Sequence, residues 1–237
     1  MGGLWVDYEL QTSIKGLFAL GECNFSDHGA NRLGASALMQ GLSDGYFVIP
    51  YTMQNYLSDQ IQVPHIDTNA PEFEEAEKGV QAEIDRIYNI KGDESVDHIH
   101  KKLYHIMWDY VGMARNEAGL KKALAMLKDI RKEFNEHVRI PGDKEGLNTE
   151  LDKAIHLRDF ITMGELIAYD ALERKESCGG HFREESQTEE GEAKRDDENF
   201  MYVACWQYQG SDDVAPTLLK EPLDYQYIKV QVRNYKK

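Results

Sequence analysis

Residues 16–42 read GLFALGECNFSDHGANRLGASALMQGL, and this stretch does most to decide the fold. The apolar run before Gly21 is short and bounded by glycine, which predicts a buried strand that ends at Glu22. The residues after Gly34 predict a helix from Ala35 to Tyr46. A strand, a glycine-rich loop and a helix in this order are typical of a ligand-binding segment in an α/β domain.

The two ends of this segment carry groups that suit a nucleotide-like cofactor. Glu22 can accept hydrogen bonds from both hydroxyls of a ribose. The first N–H groups of the helix, near Ser36, Ala37 and Leu38, have no partner within the helix, and together with the helix dipole they favour negative charge on a bound ring. A strand, loop and helix with glycines occur in most α/β proteins, so the spacing alone is weak evidence.

The loop between strand and helix offers a binding group for an anion. Arg32 and His28 stand beside Gly29 and Gly34. A guanidinium group stays charged and holds a carboxylate through two parallel hydrogen bonds. An isolated arginine is more often a surface or ion-paired residue, and a histidine in such a loop is more often structural than catalytic. With those alternatives open, the pattern predicts an anionic ligand.

Composition limits the partners and the compartment. The chain has 42 acidic and 27 basic residues, and its formal net charge of −15 repels phosphate backbones, so we expect no nucleic-acid partner. No run approaches the roughly eighteen apolar residues of a membrane-spanning helix. The widely spaced Cys23, Cys178 and Cys205 favour free thiols in the cytoplasm over disulfides. Cys178 and His181 have metal-ligand spacing, but no second pair stands nearby, so we expect no metal.

The whole sequence predicts a mixed α+β fold in three regions. Residues 1–57 have an α/β texture, with short apolar runs that predict buried strands. Residues 71–176 show apolar residues with a period near 3.6, which predicts an antiparallel helical bundle with Pro141-Gly142 between its last two helices. The predicted apolar faces include Met113 on the first of these helices, Leu147 on the last, and between them Leu120, Ala123, Leu124, Leu127, Ile130, Phe134 and Val138.

Residues 177–237 predict a strand-rich C-terminal region. Alternating and β-branched or aromatic residues indicate strands at 201–206 and 225–232, and Pro216 and Pro222 indicate a loop between them. The acidic segment 184–198 has no apolar period, which predicts a mobile surface loop.

The segment at 16–42 resembles the second flavin-binding segment of the succinate dehydrogenase/fumarate reductase flavoprotein family. The resemblance rests on Gly-Leu-Phe-Ala-x-Gly-Glu followed by His-Gly-Ala-Asn-Arg-Leu-Gly-x-Ser-x-Leu. It continues in residues 107–115, in the Arg-Lys-Glu-Ser-x-Gly-x-His element at 174–181, and in 206–208 and 220–223, so it spans nearly the whole chain. Many members carry arginine where Cys178 stands, which puts any role of that arginine in doubt here.

The resemblance implies a C-terminal part of a flavoprotein that interconverts succinate and fumarate by hydride transfer with FAD. It implies that Arg32 and His28 bind the dicarboxylate substrate and that Glu22 binds the adenosine ribose. The isoalloxazine ring would be contacted by Ser36, Ala37 and Leu38. The family's proton-transferring arginine and flavin-linking histidine lie upstream of the match, so no catalytic residue is expected within this chain.

Further expectations concern the cofactor and the partners. The sequence has no Gly-x-Gly-x-x-Gly after an early strand, and Met1-Gly2-Gly3 resembles the end of a family His-x-x-Met-Gly-Gly element. We therefore expect a truncated chain that neither retains FAD nor turns over succinate alone. The family implies an iron–sulfur subunit and, through it, a membrane-anchor cytochrome subunit, with the complex on the cytoplasmic face of the inner membrane.

Two alternatives remain open. L-aspartate oxidase shares the flavin segment and a helical C-terminal region, although the strand-rich tail favours the dehydrogenase. A helical interaction module without enzymatic activity is the other alternative, and failure to bind the iron–sulfur subunit would favour it.

Overall fold

The computed structural model describes residues 2–25, 28–144 and 146–231. The predicted mixed α+β class is confirmed, with helices predominating over short strands. In chain order the elements are α1 (Ser36–Ser43), α2 (Ile49–Leu57), α3 (Pro71–Asn89), β1 (Glu94–Ser95), α4 (Val96–Val111), α5 (Glu117–His137), β2 (Val138–Arg139), α6 (Thr149–Glu173), α7 (Asp197–Phe200), β3 (Tyr202–Gln207) and β4 (Thr217–Pro222).

The N-terminal region lacks the regular strands that its apolar runs predict. Within residues 2–25 the backbone makes only two isolated bridges, Leu4 with Asn24 and Gln11 with Phe18. A strand needs a neighbour along its length, and these runs meet a partner at one position each. Their side chains still form a small core, which consists of Val6, Leu10 and Ala19 with Leu20, Phe25 and Val48 packed against it.

The helix predicted at 35–46 is present but is longer and less regular. Ala35 has a left-handed φ of 62°, so α1 begins at Ser36 rather than at Ala35. After Ser43 the chain forms one π-helical turn at Asp44–Val48 and continues as α2. A π turn is rare and widens the helix locally.

The predicted antiparallel bundle is confirmed in α4, α5 and α6. Asn116 and Asn148 cap the starts of α5 and α6 by accepting backbone N–H groups. Lys102 of α4 pairs with Glu133 near the end of α5, so these two helices run antiparallel.

The bundle core consists mainly of the predicted α5 face together with residues of α4 and α6. Two predictions about its edges are wrong. Met113 lies beyond the end of α4 and Leu147 precedes α6, and both side chains are exposed because they lie outside the helices that form the core.

The C-terminal region has one two-stranded antiparallel sheet, in which Tyr202 pairs with Pro222 and Gln207 with Thr217. The strand predicted at 201–206 is therefore confirmed within one residue. Residues 217–222 form β4 rather than a loop, since Pro222 ends the strand and does not interrupt it. Residues 225–231 are not a strand, and Val232 of that prediction lies outside the described residues.

The acidic segment 184–198 is more ordered than its composition predicts. Gln187 and Ala193 form a bridge, and Thr188 donates its N–H to the carbonyl of Glu192. Ser177 donates its N–H to the carbonyl of Lys194, which ties this hairpin to the chain after α6.

Candidate functional site

A buried polar network fixes the turn that carries Glu22. Residues Gly21–Cys23 form a single 3-10 turn. Asp44 accepts the backbone N–H of Gly21 at 2.9 Å, and Gln40 donates to both Asp44 and Asn24 at 3.4 and 3.2 Å. Asn24, Gln40 and Asp44 are all buried. These three residues were not predicted from the sequence. Gln40, a polar residue on the inner face of α1, is the signal that could have shown the network.

The backbone conformation of Gly21 favours glycine in this turn. Gly21 has a left-handed φ of 66°, and a Cβ at this position would lie 3.6 Å from the Cα of Gly41 on α1, an ordinary van der Waals distance. The left-handed backbone, and not the space beside α1, is therefore what favours glycine here.

Glu22 and Arg32 converge. Nη1 of Arg32 lies 3.8 Å from Oε1 of Glu22, and the two side chains are 45% and 61% exposed. An exposed ion pair of this kind contributes about 0–1 kcal/mol. Each of the two side chains can therefore leave the ion pair and bind a ligand at little cost in free energy.

The start of α1 offers two backbone donors. Ser36 donates its N–H and its hydroxyl to the carbonyl of Leu33, at 3.3 and 2.8 Å. The first backbone bond that reaches back four residues is Met39 to Ala35. The N–H groups of Ala37 and Leu38 lie between these positions and have no acceptor within the helix. Ala37 is buried and Leu38 is exposed.

His28 lies beside the start of α1. Its Nδ1 is 3.4 Å from the hydroxyl of Ser36. Its Nε2 is buried and has no hydrogen-bond partner in the described part of the chain. A buried nitrogen without a partner is costly, so this atom is a place where a polar ligand atom would stabilise the loop.

These groups fit part of an FAD molecule. Glu22 suits a ribose, the amides of Ala37 and Leu38 suit an electron-rich ring edge, and the buried nitrogen of His28 suits a polar atom of a ligand. Among the described residues, no phosphate-binding glycine loop accompanies them, so the fit covers the ribose and ring contacts alone.

A second segment, distant in sequence, joins the loop. Cys178 and His181 exchange two backbone hydrogen bonds at 2.9 and 3.0 Å, which closes a tight turn over Gly179 and Gly180. Gly180 donates its N–H to the carbonyl of Ala30 at 3.2 Å. Gly179 has a φ of 61°, and a Cβ there would lie 2.1 Å from the same carbonyl oxygen. The pair of adjacent glycines was the sequence signal for a close backbone approach.

The base of this turn is held by the helical bundle. Nη1 of Arg115 donates to Nδ1 of His181 at 2.9 Å, and Nε2–H of His181 donates to the carbonyl of Arg174 at 2.8 Å. Burial, together with the charges of Arg115 and Arg183, lowers the pKa of His181, so the ring is neutral. Both ring nitrogens are engaged, which leaves none for a metal.

Cys178 lies half-buried at the edge of the turn. Burial and the nearby carboxylate of Glu176 raise the pKa of its thiol. A thiol with a raised pKa is a poor nucleophile and a poor metal ligand at neutral pH. A cysteine side chain is either neutral or negative, so Cys178 cannot supply the positive charge of the arginine that many family members carry at this position.

Of the residues predicted from sequence, the structure pairs Glu22 with Arg32 and places His28 beside Ser36 at the start of α1. It also brings the turn 178–181 against Ala30 of the loop between them. Among the described residues, no helix has the length and apolar character needed to cross a membrane.

Comparison with known proteins shows matches to flavoproteins along most of the chain. A model of the fumarate reductase flavoprotein C-terminal region matches residues 100–235, and a model of an FAD-binding domain matches residues 1–38. An uncharacterised FAD-dependent oxidoreductase of Methanocaldococcus jannaschii is 34% identical over 193 residues, which cover 78% of this chain and 31% of that protein. The fumarate reductase flavoprotein subunit of Haemophilus influenzae is 30% identical over 203 residues, which cover 85% and 32%.

More distant similarities point to the same group of proteins. L-aspartate oxidase of Yersinia pestis is 27% identical over 183 residues, covering 76% of this chain and 30% of that protein. A solved structure of E. coli quinol fumarate reductase has a TM-score of 0.77 at 27% identity, covering 93% of this chain and 36% of that chain.

The chain spans about a third of the length of the relatives named above. The family resemblance predicted from the glycine-rich segment is confirmed by both models and by these relatives. Because the C-terminal model covers more than half of the chain, the chain belongs to the succinate dehydrogenase/fumarate reductase flavoprotein family and corresponds to its C-terminal part.

Proposed function

We propose that this chain forms the C-terminal portion of a flavoprotein subunit that interconverts succinate and fumarate with FAD. The observation that carries the proposal is the pairing of Glu22 with Arg32 in the segment that leads into α1, together with the contact of His28 with Ser36 at the start of that helix. Membership of the flavoprotein family supports the same function.

Arg32 is proposed to bind a carboxylate of the substrate. Its guanidinium is half-exposed and held by an ion pair of 3.8 Å, which is too long for a strong hydrogen bond. A bidentate contact with a carboxylate contributes more than this exposed pair. A dicarboxylate therefore displaces Glu22 from Arg32, and His28 lies on the same loop to bind a second polar atom of the ligand.

Glu22, once released from Arg32, is proposed to accept the hydroxyls of the FAD ribose. Ala37 and Leu38 are proposed to donate backbone N–H groups to the isoalloxazine, with Ser36 beside them. When bound, FAD supplies the site that accepts or delivers a hydride. The chain's own part is to bind, to orient and to place positive potential near the ring.

The partners and the location are proposals of the same kind. A flavoprotein of this family passes electrons onward, and we propose an iron–sulfur subunit and, through it, a membrane-anchor cytochrome subunit. The complex would lie on the cytoplasmic face of the inner membrane. Co-purification of this chain, as part of its flavoprotein, with an iron–sulfur subunit is the measurement that checks this assembly.

The proposed activity can be tested with a chimera. The matching C-terminal third of the E. coli fumarate reductase flavoprotein subunit is replaced by this chain, and the chimera is assayed for fumarate reduction per bound flavin. We expect turnover, and Arg32→Gln should lower kcat/KM about 10–100-fold, since a hydrogen bond to a charged group contributes about 1.5–3 kcal/mol.

The matched control is Arg139→Gln, which removes an exposed arginine from β2. It should leave kcat/KM within twofold. A flavin-loaded chimera in which Arg32→Gln retains more than half of its kcat/KM would contradict the role of Arg32. Oxidation of L-aspartate without reduction of fumarate would replace the proposed activity with that of an L-aspartate oxidase.

A further inference from the structure

The turn Cys178–His181 touches the loop that carries Arg32. Gly180 binds the carbonyl of Ala30, and Ala30 stands two residues before Arg32 in the chain. Gly179 lies so close that a methyl group there would overlap the carbonyl of Ala30. The two backbones are therefore in direct contact, and a movement of the turn displaces the loop.

The turn is fixed to the helical bundle on the side away from the loop. Arg115, which lies between α4 and α5, donates its N–H to the carbonyl of Phe182 at 3.1 Å and accepts the N–H of Glu184 at 2.8 Å. Its guanidinium binds His181, and His181 in turn binds the carbonyl of Arg174 just after α6. His181 is thus held by two segments of the bundle, the connection between α4 and α5 at Arg115 and the chain after α6 at Arg174.

A buried arginine strengthens this attachment. Arg183 is almost completely buried and donates to the carbonyls of Ala171 and Leu172 at 2.8 and 3.2 Å, close to the end of α6. Ser177 exchanges hydrogen bonds with the backbone of Arg183. Both flanks of the turn are therefore anchored, so the turn has little freedom to follow the loop.

The loop itself follows a path that needs outside support. Gly29 and Ala35, at its two ends, both have left-handed φ angles of 59° and 62°. A left-handed alanine is strained and persists where surrounding contacts hold it. The backbone contact at Ala30 lies between these two positions.

We propose that the Cys178–His181 turn is a positioning element that holds the substrate loop at Ala30 and thereby sets the place of the Arg32 guanidinium. The effect of the turn on catalysis rests on the proposed function. The contact between the turn and Ala30 does not depend on that function. The turn touches the loop backbone rather than the ligand, so its residues act through Arg32.

The test uses Gly179→Ala, which adds one methyl group against the carbonyl of Ala30. Two matched controls separate this contact from other effects of losing a glycine. Gly180→Ala changes the neighbouring glycine, where an added Cβ meets nothing within 4 Å. Gly210→Ala imposes the same left-handed strain, at a φ of 85°, where an added Cβ again meets nothing within 4 Å.

The first measurement is hydrogen exchange on the chain itself. In Gly179→Ala the amide of Gly180 and the amides of residues 28–34 should exchange at least tenfold faster, while both controls stay within twofold. Unchanged exchange in Gly179→Ala, or equal acceleration in Gly210→Ala, would overturn the proposed positioning role.

The second measurement is steady-state kinetics of the flavin-loaded holoenzyme with the same substitutions. Gly179→Ala should raise KM for the dicarboxylate at least tenfold and leave kcat per flavin within twofold. The reason is that the substitution displaces Arg32 from its binding position, while the fraction of folded, flavin-loaded enzyme stays the same. A fall in kcat per flavin without a change in KM would overturn the proposal.

A further variant covers the case in which Gly179→Ala does not fold. His181→Gln removes the ring that joins Arg115 to Arg174 and adds no bulk at Ala30, and it should raise KM about threefold to tenfold. An unchanged KM in this variant refutes the role. If the wild-type holoenzyme turns over no dicarboxylate, the proposed function fails while the exchange measurement still decides the positioning role.

Discussion

Replacement of Asp44 by alanine should detach the Glu22 turn from α1. Asp44 is buried, and its Oδ2 accepts the backbone N–H of Gly21 at 2.9 Å and the side-chain amide of Gln40 at 3.4 Å. Alanine leaves the N–H of Gly21 without its charged acceptor. The lost hydrogen bond should cost about 1.5–3 kcal/mol of local stability, since bonds to charged groups lie in that range.

The magnitude can be measured by amide hydrogen exchange. A tenfold change in an opening equilibrium corresponds to about 1.4 kcal/mol, so the amide of Gly21 should exchange roughly 10–100-fold faster in Asp44→Ala. Asp44→Asn keeps one oxygen acceptor and should give an intermediate rate. In the flavoprotein, loosening of this turn should also weaken FAD retention, since the turn carries Glu22.

The matched control is Asp67→Ala. Asp67 also accepts a backbone N–H, from Asn69 at 2.9 Å, but it is exposed and water can replace it. The amide of Asn69 should therefore change its exchange rate by less than about threefold. If the amide of Gly21 in Asp44→Ala changes as little as this control, then Asp44 does not hold the turn.

The remaining predictions concern stability. Leu127 is fully buried in the bundle, so Leu127→Ala should lower the free energy of unfolding by about 3 kcal/mol. In urea unfolding this appears as a lower midpoint at an unchanged slope. Leu147 is 97% exposed, so the control Leu147→Ala should change the free energy of unfolding by less than about 0.5 kcal/mol. Equal effects would contradict the assigned core. Burial lowers the pKa of His181 in the folded chain, and the charges of Arg115 and Arg183 add to this, while the hydrogen bond to the carbonyl of Arg174 and the charge of Asp170 oppose it. The unfolded chain therefore binds a proton first as the pH falls. The difference in the free energy of unfolding between wild type and His181→Gln should therefore be largest above pH ~6.5 and shrink below it. A difference that does not vary with pH would contradict a buried, neutral His181 ring.

The helical bundle was predictable because its information is local. The apolar face of α5 recurs with the helical period, and every predicted member from Leu120 to Val138 is buried. Asn116 and Asn148 are residues that favour helix starts, and both cap a helix. The helical period of the apolar residues does not predict where each helix begins and ends. Met113 and Leu147 were therefore predicted to lie in the core, although the core does not extend to them.

The strands were less predictable because a strand depends on its neighbour. The apolar runs before residue 21 have the composition of strands, yet they find only isolated bridges. Residues 225–231 alternate like a strand but do not pair, whereas residues 217–222 pair with β3 in spite of Pro222. Pairing is a tertiary property that alternation does not determine.

The candidate site was predictable within one segment and unpredictable between segments. Glu22 and Arg32 lie ten positions apart in one segment, and the structure pairs their side chains; their roles toward a ligand stay a prediction. The network of Asn24, Gln40 and Asp44 was missed because polar residues in an amphipathic helix are normally assigned to the solvent face. The contact of Gly179 with Ala30 joins two regions that no local pattern connects.

This last contact has a consequence for biosynthesis. A ribosome delivers the loop at Ala30 early and the turn at Gly180 only after α6 has been made, since most of the chain separates them. The contact between Ala30 and Gly180 cannot form before residue 180 has been synthesised. We expect the loop to reach its final path only after α6 and the turn have been synthesised, late in the folding of the chain.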